Sequence, residues 1–143
     1  MTSNDIHLLL LNSYSQKLKK SLTRLESALF KCQKIQLHID LDDEDMEAFE
    51  SLTARFARSA DMFLNRYVRA AVIAEDPAFR GTFKDFLNQA EKQKIIASVA
   101  AWMEVRELRN KIAHEYEEND LLKIFESVLI EAPKLLTIRS SLK

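Results

Sequence analysis

Leu8, Leu11, Leu18, Leu22, Leu25 and Leu29 lie three, four or seven residues apart, the spacing that gathers side chains on one face of an α-helix. The pattern predicts a first helix over about residues 4 to 38, with Ser3 or Asn4 placed to cap it. The apolar run from Ile6 to Leu11, broken by His7, is expected to pack into the core. Lys17, Lys19 and Lys20 interrupt the stripe and are expected to snorkel or face water. The acidic segment 40–45 reads as a turn leading into the first turn of a second helix, where negative charge suits the positive end of the helix dipole.

The second helix is predicted over about residues 43 to 75. Phe49, Phe56 and Phe63 recur every seven residues and point on to Ala70, while Leu52, Ala60, Tyr67 and Ala74 fill the same face. Such a stripe needs a second long helix to cover it, which makes the first two helices an antiparallel hairpin. Asp76-Pro77 ends the second helix, because proline disfavours helical backbone in the residue before it. Thr82 is placed to cap a short helix carrying Phe83, Phe86 and Leu87. A fourth helix follows from about Ser98 to 113, with Ala101, Val105, Leu108 and Ile112 as its buried stripe. Asn119 or Asp120 is placed to cap a fifth helix, which Pro133 should kink or restart.

Composition narrows this further. The chain has 143 residues, and its 47% of apolar residues can build one core without staples. One glycine and two prolines leave too few turn formers for a β fold. The expectation is one all-α domain over residues 1–143, an up-and-down bundle of four to five helices containing a long hairpin. The net charge of −1 gives no global attraction to nucleic acid, so any such attraction must come from local clustering. The lone Cys32 cannot form an internal disulfide, which fits a reducing, cytoplasmic setting. No basic leader or bilayer-length apolar run is present, so no membrane association is expected. His7 and His38 follow no ligand spacing, and neither a metal site nor another cofactor is expected.

The candidate chemistry lies in the segment Arg109-Asn110-Lys111-Ile112-Ala113-His114-Glu115-Tyr116. Arg106, Asn110 and His114 follow one another at four-residue spacing on the fourth helix. A fixed cation, an amide and a base that titrates near neutrality suit a phosphodiester substrate. Arg109 followed by four residues, His114, one residue and Tyr116 resembles the Arg-x4-His-x-Tyr motif of HEPN proteins, above all the HepT-like toxins paired with minimal nucleotidyltransferase antitoxins. The predicted order of two long helices, a short one, a motif helix and a closing helix resembles that family's layout over most of the chain. A chain with nine arginines, three histidines and three tyrosines would show the triple pattern by chance roughly 0.004 times.

The resemblance implies a metal-independent RNase acting as a homodimer, with the two motifs facing each other. His114 and Arg109 would be catalytic, with Asn110 and Arg106 in support, and RNA would be the substrate. Tyr116 would line the site and be the hydroxyl that the antitoxin modifies with AMP. The same resemblance also admits a non-catalytic subunit that binds a nucleotidyltransferase or its substrate. A purely structural helical dimer is a third reading. One geometric difficulty stands out: residues five apart on a regular helix are about 140° apart. Arg109 and His114 of one chain therefore do not share a face unless the helix breaks near Ala113 or a second subunit completes the site.

Arg55, Arg58, Arg66 and Arg69 fall within about 80° of arc on a regular second helix and form a candidate RNA-binding stripe. Plainer roles compete throughout. His114 could simply meet a helix dipole, Arg109 could pair with Glu104, Glu107 or a neighbouring helix, and the arginine stripe could be a solvated face. Glutamates 104, 107, 115, 117 and 118 crowd the motif and would repel RNA unless arginines pair with them.

Overall fold

The computed structural model describes residues 2–114 and 118–142, and of residues 118 and 119 only the backbone. Every regular element among them is helical. Helix α1 (Ser3–Cys32) runs against α2 (Asp43–Asp61), which continues through a π-helical segment (Met62–Tyr67) into α3 (Val68–Glu75). The short α4 (Phe83–Lys92) leans on α3 and α5 (Val99–Ala113), while α5 and α6 (Glu118–Leu136) close over α2. A 3₁₀ turn, Thr137–Ser141, ends the chain. The architecture is the all-α bundle that the periodicity predicts, with the long hairpin at its centre.

The hairpin holds together on side chains of two sizes. Leu18, Leu22 and Leu25 of α1 and Phe49, Leu52 and Phe56 of α2 are fully buried. Phe49 stacks on Phe125 of α6, ring centres 5.1 Å apart. Where small residues meet, the Oγ atoms of Ser21 and Ser59 share a buried hydrogen bond of 2.7 Å between α1 and α2. That bond satisfies two hydroxyls that would otherwise be costly to bury.

Local signals set the helix ends, with some corrections. Thr2, ahead of the expected Ser3 or Asn4, caps α1: its hydroxyl accepts from the Asp5 N–H, and the Asp5 carboxylate accepts from the Thr2 N–H. Thr82 and Asp85 form the same box at α4, and these hydrogen bonds hold both aspartates below the usual carboxylate range. Helix α1 stops at Cys32 because the following Ile35, Leu37 and Leu41 fold back against the core. Asn119 and Asp120 lie inside α6, which begins at Glu118, and that helix carries Pro133 without ending there. The run Ile6–Leu10 is not core: Ile6, Leu8, Leu9 and Leu10 are exposed, and of the segment Leu11 alone is buried.

The π segment has the largest consequence. Buried positions step from Phe49 through Leu52 and Phe56 to Ser59 and Ala60, then by fours through Leu64 and Val68 to Val72. A regular turn of 3.6 residues cannot keep a step of four on one face. The wider π turn absorbs the surplus, and the seven-residue stripe predicted to reach Ala70 buries Ala71 instead.

Candidate anion-binding groove and the Arg109–His114 segment

Ser98 caps α5 by accepting from the Ala101 N–H, as its sequence position suggests. The buried stripe is Trp102, Val105 and Leu108, turned slightly from the expected one, because the Trp102 ring packs on Phe63 at 4.6 Å. That rotation leaves Ala101 and Ile112 half-buried and carries Arg109 toward the end of α2. There the Arg109 Nε donates to Asp61 Oδ1 at 2.8 Å, with about a quarter of the guanidinium side chain (27%) still exposed. The hydrogen bond to Asp61 holds the guanidinium charge above its ordinary pKa.

Arg109 and Asp61 lie in a groove of about 1030 Å³ between α1 and α2. From α1 the groove takes Lys17, Lys20 and Arg24. Arg55 and Arg58 of α2 face them, and Arg66 of the π segment extends the row. With Arg109 this makes seven cations against one carboxylate, Asp61. Arg55 is fixed across the groove by a 2.9 Å hydrogen bond from Nη1 to the Arg24 carbonyl.

Three of the four stripe arginines are thus brought together, and the fourth is not. Arg69 follows the π segment, whose extra residue turns it toward α4, where its guanidinium lies 4.4 Å from the centre of the Phe86 ring. Arg106 does the same from α5, 3.8 Å from the Phe83 ring. The two arginines grip the short helix from both sides through cation–π contacts. Arg106 therefore does not join Asn110 and His114 as a row of free site residues, although Asn110 is exposed.

His114 caps the C-terminal end of α5 in extended backbone, its N–H donating to the Lys111 carbonyl. Its exposed side chain lines a separate shallow hollow with Leu108, Lys111 and, from α6, Asp120 and Lys123. Helix α5 ends at Ala113, the break that the sequence allowed for, yet Arg109 and His114 still line different hollows of the one chain. Tyr116, with Glu115 and Glu117, lies outside the described residues.

Sequence reasoning gave Lys17 and Lys20 only a snorkelling or solvent-facing role and gave Arg24 and Asp61 none. Their signal was available: Lys17, Lys20 and Arg24 stand three and four residues apart, one basic edge of α1. Among the described residues, no cluster of three or more His, Cys, Asp or Glu side chains is arranged to hold a metal ion. Nor is any described helix long and apolar enough to cross a membrane. Comparison with known proteins adds no relative: no family, no curated protein and no solved structure matches the chain.

Proposed function

We propose that this chain is a metal-independent RNase of the HEPN type, acting as a homodimer in the cytoplasm and serving as the toxin of a nucleotidyltransferase toxin–antitoxin pair. The observation that carries the reading is the position of Arg109, the motif arginine, in a groove rich in cations, five residues before an exposed His114. His114 takes the proton from a ribose 2′-hydroxyl, and the freed oxygen attacks the adjacent phosphorus. The 5′-oxygen leaves with a proton taken from water or from the His114 imidazolium, giving a 2′,3′-cyclic phosphate and a 5′-hydroxyl end. Arg109 stabilises the charge that builds on the phosphorane. The nucleophile belongs to the substrate, so the step needs no activated water.

Because Arg109 and His114 diverge on one chain, the reacting set is assembled from two copies. Asn110 orients the phosphate or the imidazole. AMP placed by the antitoxin on Tyr116 would add bulk and negative charge where RNA phosphate must sit. The non-catalytic alternative, a binding subunit of a nucleotidyltransferase, draws support from the ion pair that already occupies Arg109.

A cleavage assay on purified protein, with and without a chelator, separates these readings. The expected result is chelator-resistant release of cyclic-phosphate ends, with activity rising steeply as protein concentration drives dimerisation. His114→Ala should lower the rate by about 10²–10⁴-fold, the usual contribution of a positioned acid–base group. Cleavage unchanged by both His114→Ala and Arg109→Ala would sink the RNase reading. Clean protein that binds a nucleotidyltransferase without cutting RNA would establish the alternative.

A further inference from the structure

We infer that the groove between α1 and α2 binds the phosphate backbone of a single-stranded nucleic acid, and that the incoming phosphates displace Asp61 from Arg109. The site is separate from the His114 face, and binding there needs neither a 2′-hydroxyl nor the imidazole.

Charge comes first. The whole chain has a net charge of −1, yet this groove gathers seven cations and one carboxylate. The rest of the chain is therefore net negative, and a polyanion is steered to the groove. Cations drawn together with so little compensation repel one another, a cost that an anionic ligand removes.

Shape comes next. The groove follows the seam between two packed helices, a linear track along which an extended chain can lie. Arg55 to Arg66 covers about 16 Å at 1.5 Å per residue, a length over which a backbone can meet several cations. Five of the seven cations are arginines, whose planar forks hold phosphate oxygens in pairs.

The lining also discriminates among polyanions. Its apolar members are Ala54, Ala57 and Met62, and no aromatic ring is among its residues. The aromatic anchors common at protein interfaces are absent, leaving the arginines and the single Met62 as the interface-favoured residues in the lining. Base-stacking platforms are missing for the same reason, so the backbone phosphates carry the binding.

Asp61 gives the groove a built-in competitor. It is the one carboxylate of the lining, and it pairs with the cation farthest along the chain from α1. Phosphate reaching Arg109 competes with a 2.8 Å hydrogen bond that engages Nε alone, at a position still partly open to water. The pair therefore tunes affinity and does not block entry.

The test is fluorescence anisotropy with labelled oligodeoxythymidylate, which lacks the 2′-hydroxyl and cannot be cleaved by internal attack. Binding failure and cleavage failure thus remain distinguishable. Wild type should bind with a salt slope of about −3, the value for roughly four phosphates neutralised on a single strand. Arg55→Glu/Arg58→Glu should weaken binding about tenfold or more and flatten that slope. Lys17→Glu/Lys20→Glu, which alters only exposed side chains, should do the same without disturbing the core. Asp61→Asn should tighten binding several-fold, and Arg69→Glu, outside the groove, should leave it unchanged. The inference is overturned if both double reversals bind like wild type, if Asp61→Asn weakens binding, or if Arg69→Glu weakens it as much as the double reversals do. Polyglutamate bound as tightly, with the same dependence on the variants, would assign the groove to an acidic protein instead.

Discussion

Deleting Asn65 from the π segment should be tolerated, whereas deleting a residue from the regular part of the same rod should not. The buried positions of the rod move by four residues per turn from Ala60 to Val72, against 3.6 in a regular helix. Each such step would drift about 40° on a regular helix, so the three steps accumulate about 120°, close to the 100° of one residue. The π turn supplies that residue. Asn65 is exposed, and its loss lets the segment close to α-helical pitch while Val68, Ala71 and Val72 keep their faces toward the core. The cost is repacking around Phe63, whose ring touches both Trp102 and Tyr67, and should fall near 1–2 kcal/mol. Deleting the exposed Glu50 has no surplus residue to remove. It turns one side of the cut by about 100° and carries either Phe49 or Leu52 and Phe56 out of the core. Losing a fully buried phenylalanine costs about 3–5 kcal/mol. At about 3 °C per kcal/mol for a chain of this size, melting by circular dichroism should fall about 3–6 °C without Asn65 and 10 °C or more without Glu50. Equal losses would refute the account of the π turn as a register correction.

Two further outcomes follow from local structure. Lys94 sits at φ 63° just past α4, where the Ile95 and Lys94 amides donate back to the Ala90 and Glu91 carbonyls, a geometry that favours glycine. Lys94→Gly should raise stability by about 0.5–1 kcal/mol in chemical denaturation, and a loss would show that the lysine side chain contributes more than its backbone strain costs. Cys32 is fully buried, and burial pushes its thiol up from its ordinary value. A folded pKa above the unfolded one stabilises the fold fully below about pH 8.5, and the contribution is lost as pH rises toward the folded value. The stability difference between wild type and Cys32→Ala should therefore shrink in alkaline buffer, and a difference that stays constant there would contradict the shift.

Much of the bundle is legible in the spacing of its leucines and phenylalanines, because a helix buries one face and repetition reveals which. The errors have specific causes. Ile35 and Leu37 continue an apolar pattern, so nothing local shows that they turn back over the core. The apolar run at Ile6–Leu10 looks like core, but α1 carries it where it stays exposed. Arg69 is on the right stripe of an ideal helix and on the wrong face of the real one, since a π turn leaves no mark in the residue types that form it. The basic edge of α1 was readable as a stripe, but its meeting with Arg55 and Arg58 is a tertiary fact.

The arginines make the general point about sites. Arg69 and Arg106 carry the same charge as Arg58 and Arg66, yet each lies over a phenylalanine of α4 and helps hold a helix. What separates the two groups is the facing element: an aromatic ring at α4, other cations at α1. A helical wheel describes one element and cannot supply its neighbour. It does, however, fix the relation of residues within an element, which is why the divergence of Arg109 and His114 could be foreseen, while for the partner of Arg109 a neighbouring helix, and not Asp61 itself, could be named. That divergence has a consequence for the proposed chemistry. The Arg109 guanidinium turns to Asp61 in the groove, while the His114 imidazole lines a separate hollow beside α6 of the same chain. On the proposed mechanism, RNA held along the groove of one copy presents its scissile bond to the His114 of another, which predicts that a monomer binds RNA without cleaving it.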